Sequence, residues 1–346
     1  MSHAAITGWG MAVPERVATN AELARSIPGV DADWIVRRTG IAERRLAAAH
    51  ETTSTLATEA GRRALACADV SASDLDLVVV GTCTPDHMIP ATAPLVQDAL
   101  GATRAGAFDV NAACAGFLTA LATADGLIRA GRAERALVIG AEVLSRFVDW
   151  QDPRTCVLFG DGAGAVVLER SDEPAGLLWL TMGSAGDAAP LLKVPAGGSA
   201  RPASPETVAA REHVVAMNGP EVYRAAVRII AGAAQDVMAR AGLERDDVDL
   251  FIAHQANQRI IDDVAARLAL GPERVFSNVA RYGNTSAASV PLALCEAADR
   301  GLLEEGSRLV LSAVGAGLVW MAGVAVWTAA ATRVAEHDHH LTGAIA

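Results

Sequence analysis

The two halves of this 346-residue chain carry the same succession of elements. In the first half a helical pattern over residues 59–68 leads through Ser73, Asp74, Leu75 and Asp76 into the apolar run 77–80. In the second, a helical pattern over 222–241 leads through Arg245, Asp246, Asp247, Val248 and Asp249 into the apolar run 250–253. Later, residues 133–136 precede the strand pattern 137–139, and residues 305–308 precede its counterpart 309–311. A glycine-rich turn and another apolar strand follow each time, over 159–168 and 314–320. The two pairs have nearly equal offsets, so they belong to one duplication.

Continuous apolar strands alternating with helices imply sheets buried on both faces, an α/β architecture. The repeat divides the chain into an N-terminal half, 1–172, and a C-terminal half, 173–331, joined near Ser171-Asp172-Glu173-Pro174. Residues 332–346 are expected to be a flexible tail. Half of the residues are apolar (51%) but only 4% are aromatic, so Ala, Val, Leu and Gly must fill the interior by close helix-on-sheet packing. The loop-rich segment 190–205 is expected at the surface or facing substrate. Residues 309–331 contain no charge and are long enough to cross a bilayer. Gly315, Gly317 and Gly323 interrupt them among recurring valines, which favours two buried strands joined by a glycine turn, with no membrane span.

A net charge of −11 argues against a nucleic-acid binder, and docking to an acidic partner would need a local basic patch. Lys193 is the single lysine, so such a patch must be built from arginine. The five cysteines form no CxxC pair and no metal-like spacing, and the N-terminus lacks a basic targeting region. A cytoplasmic protein with reduced thiols and no metal is expected. The run 336–340, rich in His, reads as a frayed terminus with adventitious metal affinity only.

Cys114 lies between a β-like run, 104–111, and a segment from Gly116 with apolar residues at helical spacing. A thiol at a helix N-terminus feels unpaired N–H groups that favour the thiolate. A small buried cysteine fits the same position, and position alone leaves both readings open. His254 follows the buried strand 250–253, and Asn284 sits in a glycine turn before a small-residue helix. Each has a structural explanation of its own, as a satisfied histidine or a turn asparagine. Corresponding strand ends of duplicated halves meet at one crevice, so the three together offer a thiol, an imidazole and an amide.

Five motifs in order extend the reading: Asp33-Trp34-Ile35-Val36 with Arg38-Thr39-Gly40-Ile41, the Cys114 segment, residues 159–165, 254–260 and 283–291. From about Ile6 to Trp327 the chain resembles the thiolase superfamily, most closely the β-ketoacyl-acyl-carrier-protein synthase III enzymes. The resemblance implies duplicated βαβαβαββ halves stacked as five layers, αβαβα. It implies an acyltransferase that condenses an acyl primer, from acyl-CoA or acyl-ACP, with malonyl-ACP, releasing CO2 and giving 3-ketoacyl-ACP. Cys114 matches the nucleophile that holds the primer as a thioester, and His254 and Asn284 match the pair that holds the malonyl thioester carbonyl. The backbone amides of Cys114 and Ala316 match the oxyanion donors. Trp34, Arg38, Arg154 and Asn257 fall at the coenzyme A and pantetheine entrance, and Arg224 and Arg259 where relatives dock the acyl carrier protein. Ile89 matches a position that reaches across a homodimer to close the acyl pocket. No bound cofactor is implied; coenzyme A and carrier phosphopantetheine thioesters are substrates.

The chain departs from that pattern in places. It reads Asp152-Pro153-Arg154 where Asp-Arg is common, which displaces the arginine expected at the adenine. Val314 replaces a frequent Phe, and Pro220 a frequent polar residue. A specialised-pathway acyltransferase of the same fold, passing the acyl group to an alcohol, amine or unusual carrier-bound nucleophile, is the alternative; Asn284 speaks for decarboxylative condensation. No cysteine follows Cys295 to serve as the second catalytic cysteine of a degradative thiolase. The run 160–164 resembles a dinucleotide loop but continues into a strand where such a loop opens a helix.

Overall fold

The computed structural model describes residues 2–329. The end of the C-terminal half as delimited above, the tail 332–346 and its His-rich run lie outside the described residues.

The first half runs β1 (His3–Ala12), α1 (Ala32–Thr39), α2 (Thr53–Ala68), β2 (Leu77–Gly81), α3 (Thr92–Leu100), β3 (Gly106–Val110), α4 (Gly116–Arg129), β4 (Arg135–Val143) and β5 (Asp161–Ser171). The second runs β6 (Gly176–Ser184), α5 (Gly219–Ala241), β7 (Leu250–Ala253), α6 (Gln258–Leu268), α7 (Ser289–Asp299), β8 (Arg308–Gly315) and β9 (Val319–Val326). Apart from α1, a helix inserted after β1, the first half is βαβαβαββ. The uncharged stretch near the C-terminus is the β8–β9 hairpin, and no described helix is long and apolar enough to cross a membrane.

The first sheet has the order β3-β2-β4-β5-β1, parallel through β3, β2 and β4 and antiparallel beyond. The second repeats this as β7-β8-β9-β6, with β7 and β8 parallel and the rest antiparallel. The counterpart of β3 is reduced to one parallel bridge, Val275 to Phe251. Pro272, Arg274 and Ser277 flank the apolar pair Val275-Phe276 there, so the segment is too short to ladder further. The duplication is thus complete in the first half and has a truncated edge in the second.

The repeat extends to side-chain clamps. The Asp76 carboxylate accepts from the backbone N–H groups of Glu134 and Arg135 at 2.8 and 3.1 Å, and Asp249 accepts from Arg308 N–H at 2.7 Å. Each pins the start of a central strand to the one beside it.

Five layers result. α2 and α3 cover one face of the first sheet through Leu56, Ala60, Ala64 and Val96 on Val78, Val80 and Ile139. α4 and α7 lie between the sheets, placing Phe117, Leu121, Val290 and Leu294 among Val79, Val138, Ile252 and Leu311. α5 and α6 cover the outer face of the second sheet. The middle layer is tight because β4 presents a glycine to it: a Cβ on Gly140 would fall 2.3 Å from the Ala287 carbonyl oxygen. That approach lets the N-termini of α4 and α7 meet.

Candidate active site

Each middle-layer helix is preceded by the same tight elbow. Cys114 lies in a single 3-10 turn, Ala113–Ala115, ahead of α4, and Ala287 lies in the turn Ser286–Ala288 ahead of α7. Ala113 and Ser286 both adopt the left-handed region, with φ of 45° and 49°. Asn111 Oδ1 accepts from Ala113 N–H at 3.1 Å, and Asn284 Oδ1 accepts from Ser286 N–H at 2.9 Å. Asn284 is therefore the repeat mate of Asn111. The sequence carried this signal, since the spacing from Leu77 to Leu250 equals that from Asn111 to Asn284.

A cavity of about 500 Å³ is lined by Cys114, His254 and Asn284 together with Trp34, Arg38, Phe159 and Val314. The structure thus brings the three expected groups to one cavity, all buried. Asn284 is fixed by its backbone as well: its N–H donates to Leu158 O at 2.8 Å, and its carbonyl accepts from Gly160 N–H at 3.0 Å. With Oδ1 occupied by Ser286, its Nδ2 remains as the donor for a ligand.

His254 N–H donates to Ser312 O at 2.8 Å, which ties it to β8. Its Nδ1 lies 2.6 Å from Ser289 Oγ, which also accepts from Gln255 N–H at 3.3 Å. With Nδ1 engaged by Ser289, Nε2 is the ring nitrogen left for a ligand. Burial lowers the His254 pKa from 6.5 to about 4, so the ring is neutral at physiological pH.

This has a consequence for stability. Unfolded, the ring binds a proton near pH 6.5; folded, it does not until about pH 4. The unfolded chain therefore binds more protons in that interval, and stability falls as pH drops through it, by about 3 kcal/mol at the limit. Urea unfolding of the wild type and His254→Gln at neutral and mildly acidic pH measures the difference. An identical pH slope in both would contradict a buried neutral ring.

Burial also pushes the Cys114 thiol up to about 12, opposed by a hydrogen bond with the Ser286 hydroxyl and reinforced by the nearby Glu142 carboxylate. Loss of water thus works against the local N–H field that the helix terminus supplies.

The β8–β9 turn lies against the Cys114 backbone. A Cβ on Gly315 would sit 2.7 Å from Cys114 N and 2.4 Å from Ala112 O, so only glycine allows this contact. Ala316 follows Gly315 in the turn.

At the mouth, Trp34 and Arg38 stack with 5.9 Å between the guanidinium and the ring centre. Asn257 caps α6 through Arg259 N–H at 2.9 Å, and its Nδ2 donates to Arg38 O at 3.1 Å. Trp34, Arg38, Asn257, Arg154, Arg224 and Arg259 all line the cavity. The arginines are less available than the sequence suggested. Arg154 is held by Asp152 at 2.9 Å, Arg224 is paired with Glu221, and Arg259 covers the Tyr223 ring at 5.3 Å. Ile89 does not line this cavity; it is 90% exposed beside Met88 on the loop after β2. Ser289, Ser286 and Glu142 were not legible as site residues, because nothing local marks where a hydroxyl or carboxylate will point. Among the described residues no group of three or more metal-ligating side chains occurs.

Residues 108–186 match the family described as 3-oxoacyl-[acyl-carrier-protein] synthase III, and 238–327 match its C-terminal region. The chain is 51% identical over 326 residues to the β-ketoacyl-[acyl-carrier-protein] synthase III of Roseiflexus castenholzii, covering 94% of this chain and 98% of that protein. The crystal structure of 3-oxoacyl-[acyl-carrier-protein] synthase III from Aquifex aeolicus superposes with a TM-score of 0.87 at 41% identity, over 94% and 100% of the two chains. The priming β-ketosynthase of the R1128 polyketide pathway superposes with a TM-score of 0.88 at 34% identity, over 94% and 97%.

Proposed function

Because the chain belongs to the β-ketoacyl-acyl-carrier-protein synthase III family, we propose that it primes acyl-chain synthesis by decarboxylative condensation. An acyl primer carried by coenzyme A or acyl carrier protein is transferred to Cys114. Malonyl-ACP then loses CO2, and its enolate attacks the acyl-Cys114 thioester to give 3-ketoacyl-ACP. The observation that carries this is the single cavity lined by Cys114, His254 and Asn284 together. His254 Nε2–H and Asn284 Nδ2–H stabilise an enolate oxygen, and the neutral ring leaves its carbon unprotonated and free to attack. The amides of Cys114 and Ala316 serve the tetrahedral oxyanion of loading and condensation. No cofactor takes part.

Trp34, Arg38, Arg154 and Asn257 line the path for the coenzyme A or pantetheine arm. Arg224 and Arg259 meet the acidic carrier protein, exchanging their present contacts for its carboxylates. A homodimer is part of this reading. Strand β3 is an open sheet edge, and exposed Met88 and Ile89 beside it have a role if Ile89 closes the partner's acyl pocket. The same chemistry serves fatty-acid or polyketide initiation, and the superposition on a polyketide priming enzyme keeps the second in view.

Native mass spectrometry after incubation with acyl-CoAs and acyl-ACPs, then with malonyl-ACP, tests the reading. A species of two chains, each gaining an acyl mass at Cys114 and releasing 3-ketoacyl-ACP, is expected. Acyl transfer without CO2 release would favour the specialised-pathway alternative. A species of 35.7 kDa, one chain, would remove the dimer and the role of Ile89.

A further inference from the structure

Arg44, in the short strand Glu43–Arg45, is fully buried, and the reaction as described leaves it unused. Among the described residues no ion pair includes it. Neutral acceptors from two segments hold its head instead. Nη1 donates to Ala18 O at 3.2 Å and to Asn20 Oδ1 at 2.8 Å, and Nη2 donates to Val157 O at 2.8 Å. Its Nε, buried as well, has no hydrogen-bond partner. Burial lowers the guanidinium pKa to about 10, against the pull of Cys156 and Glu43, so it is charged at physiological pH. An apolar side chain of similar reach would keep the packing and avoid the hydration that a buried charge forfeits. Such a choice asks for an explanation other than stability.

The Val157 carbonyl supplies one. Residues 157–160 are the segment against which Asn284 is set, through Leu158 O, Gly160 N–H and a parallel bridge centred on Phe159. The peptide unit that joins Val157 to Leu158 is fixed at both ends: its N–H donates to Thr155 O at 3.0 Å, and its carbonyl accepts from Arg44 Nη2. The next carbonyl along, Leu158 O, is the one that takes Asn284 N–H. The Arg44 stem packs against the same junction. A Cβ added to Gly160 would lie 3.1 Å from Arg44 Cβ, and one added to Gly283 would lie 3.3 Å from it. Without Nη2, Val157 O is left as an acceptor with no partner in a buried residue. Rotation of that peptide unit towards a new donor carries Leu158 O away from Asn284 N–H.

We infer that Arg44 is a positioning residue for malonyl decarboxylation: by fixing the 157–158 peptide unit it aims the Asn284 Nδ2–H at the malonyl thioester oxygen. This rests on the decarboxylative reaction proposed above. In that step the bond from the malonyl carbon to its carboxylate breaks and CO2 leaves. The electron pair forms the enolate, and the charge gathers on the thioester oxygen to which Asn284 donates. Arg44 does not line the cavity; it acts through Leu158 O and the Asn284 backbone. A hydrogen bond weakens steeply as its angle opens, and a misplacement of about 1 Å costs on the order of 10²-fold in rate. The effect belongs to one half of the reaction. Acyl loading uses the Cys114 sulfur and backbone amides, and Arg44 makes no hydrogen bond to either.

CO2 release from malonyl-ACP and acyl loading of Cys114 by intact mass, measured on the same folded preparations, test the assignment. Arg44→Met is expected to slow CO2 release by roughly 10²-fold and to leave loading within a few-fold of wild type. Arg44→Lys keeps one charged donor for Val157 O but lacks the fork that also reaches Ala18 and Asn20. It is expected to recover part of the loss, releasing CO2 about tenfold more slowly than wild type. Combined with Asn284→Ala, either substitution should add no further loss, because its effect passes through that side chain. Release at the wild-type rate in either variant, or losses that add to that of Asn284→Ala, would overturn the role. So would an equal fall in loading and CO2 release, which is what a purely structural part for Arg44 gives. If Arg44→Met does not fold, Arg44→Lys carries the same split and the same pairing with Asn284→Ala. A wild-type protein that releases no CO2 from malonyl-ACP overturns the proposed function itself.

Discussion

Cys114→Ala is expected to lower 3-ketoacyl formation by roughly 10⁴-fold or more while leaving malonyl decarboxylation within about tenfold of wild type. The two halves of the reaction use different atoms in one cavity. Acyl transfer needs the sulfur, and alanine offers no electron pair in its place. Carbon dioxide loss needs donors to the malonyl thioester oxygen, and these come from His254 and Asn284, whose supports are Ser289 and the 158–160 segment. Removing one buried sulfur disturbs neither support. Release of CO2 and formation of 3-ketoacyl product, followed in the same samples, separate the two. Persistence of product would transfer the nucleophile role to another thiol, with Cys83 the nearest candidate across Ser286.

His254→Ala is expected to give the opposite split. Loss of the Nε2–H donor should slow CO2 release by roughly 10²–10³-fold, the usual effect of deleting one oxyanion-type donor in a water-poor site. Acyl loading of Cys114 should stay within a few-fold, because the loading oxyanion is served by backbone amides. Asn284→Asp sharpens the test. The carboxylate still accepts from Ser286 N–H, so the elbow holds, but an acceptor replaces the Nδ2 donor. A comparable fall in CO2 release with loading intact is expected. If either variant instead lost loading and kept decarboxylation, the donors would be assigned to the wrong carbonyl.

Much of the scaffold was legible because its signals are local. The apolar run 250–253 became β7 with the same bounds, and the uncharged stretch after Leu309 became a hairpin around Gly317. Cys114, His254 and Asn284 were visible because reactive residue types stand at strand ends and turns. The truncated edge strand at Val275 was not visible, because pairing length depends on what the neighbouring strand offers. The resting partners of the mouth arginines were not visible for a similar reason. Arg154 and Arg224 lie within three residues of the carboxylates that hold them, Asp152 and Glu221, yet only backbone conformation decides whether such neighbours meet.

By itself the sequence determined the two-fold repeat, the order of strands and helices within it and the three side chains at the site. These follow from periodicity, turn chemistry and residue type, all written in short windows. The tertiary structure alone decided the protonation states and directions of those side chains. Glu142 reaches Ser286 across 144 residues of chain, and Ser289 reaches His254 across 35. Desolvation and hydrogen bonding set whether a thiol or an imidazole carries its proton. Both depend on distance in space, which closing the two sheets over the middle helices fixed.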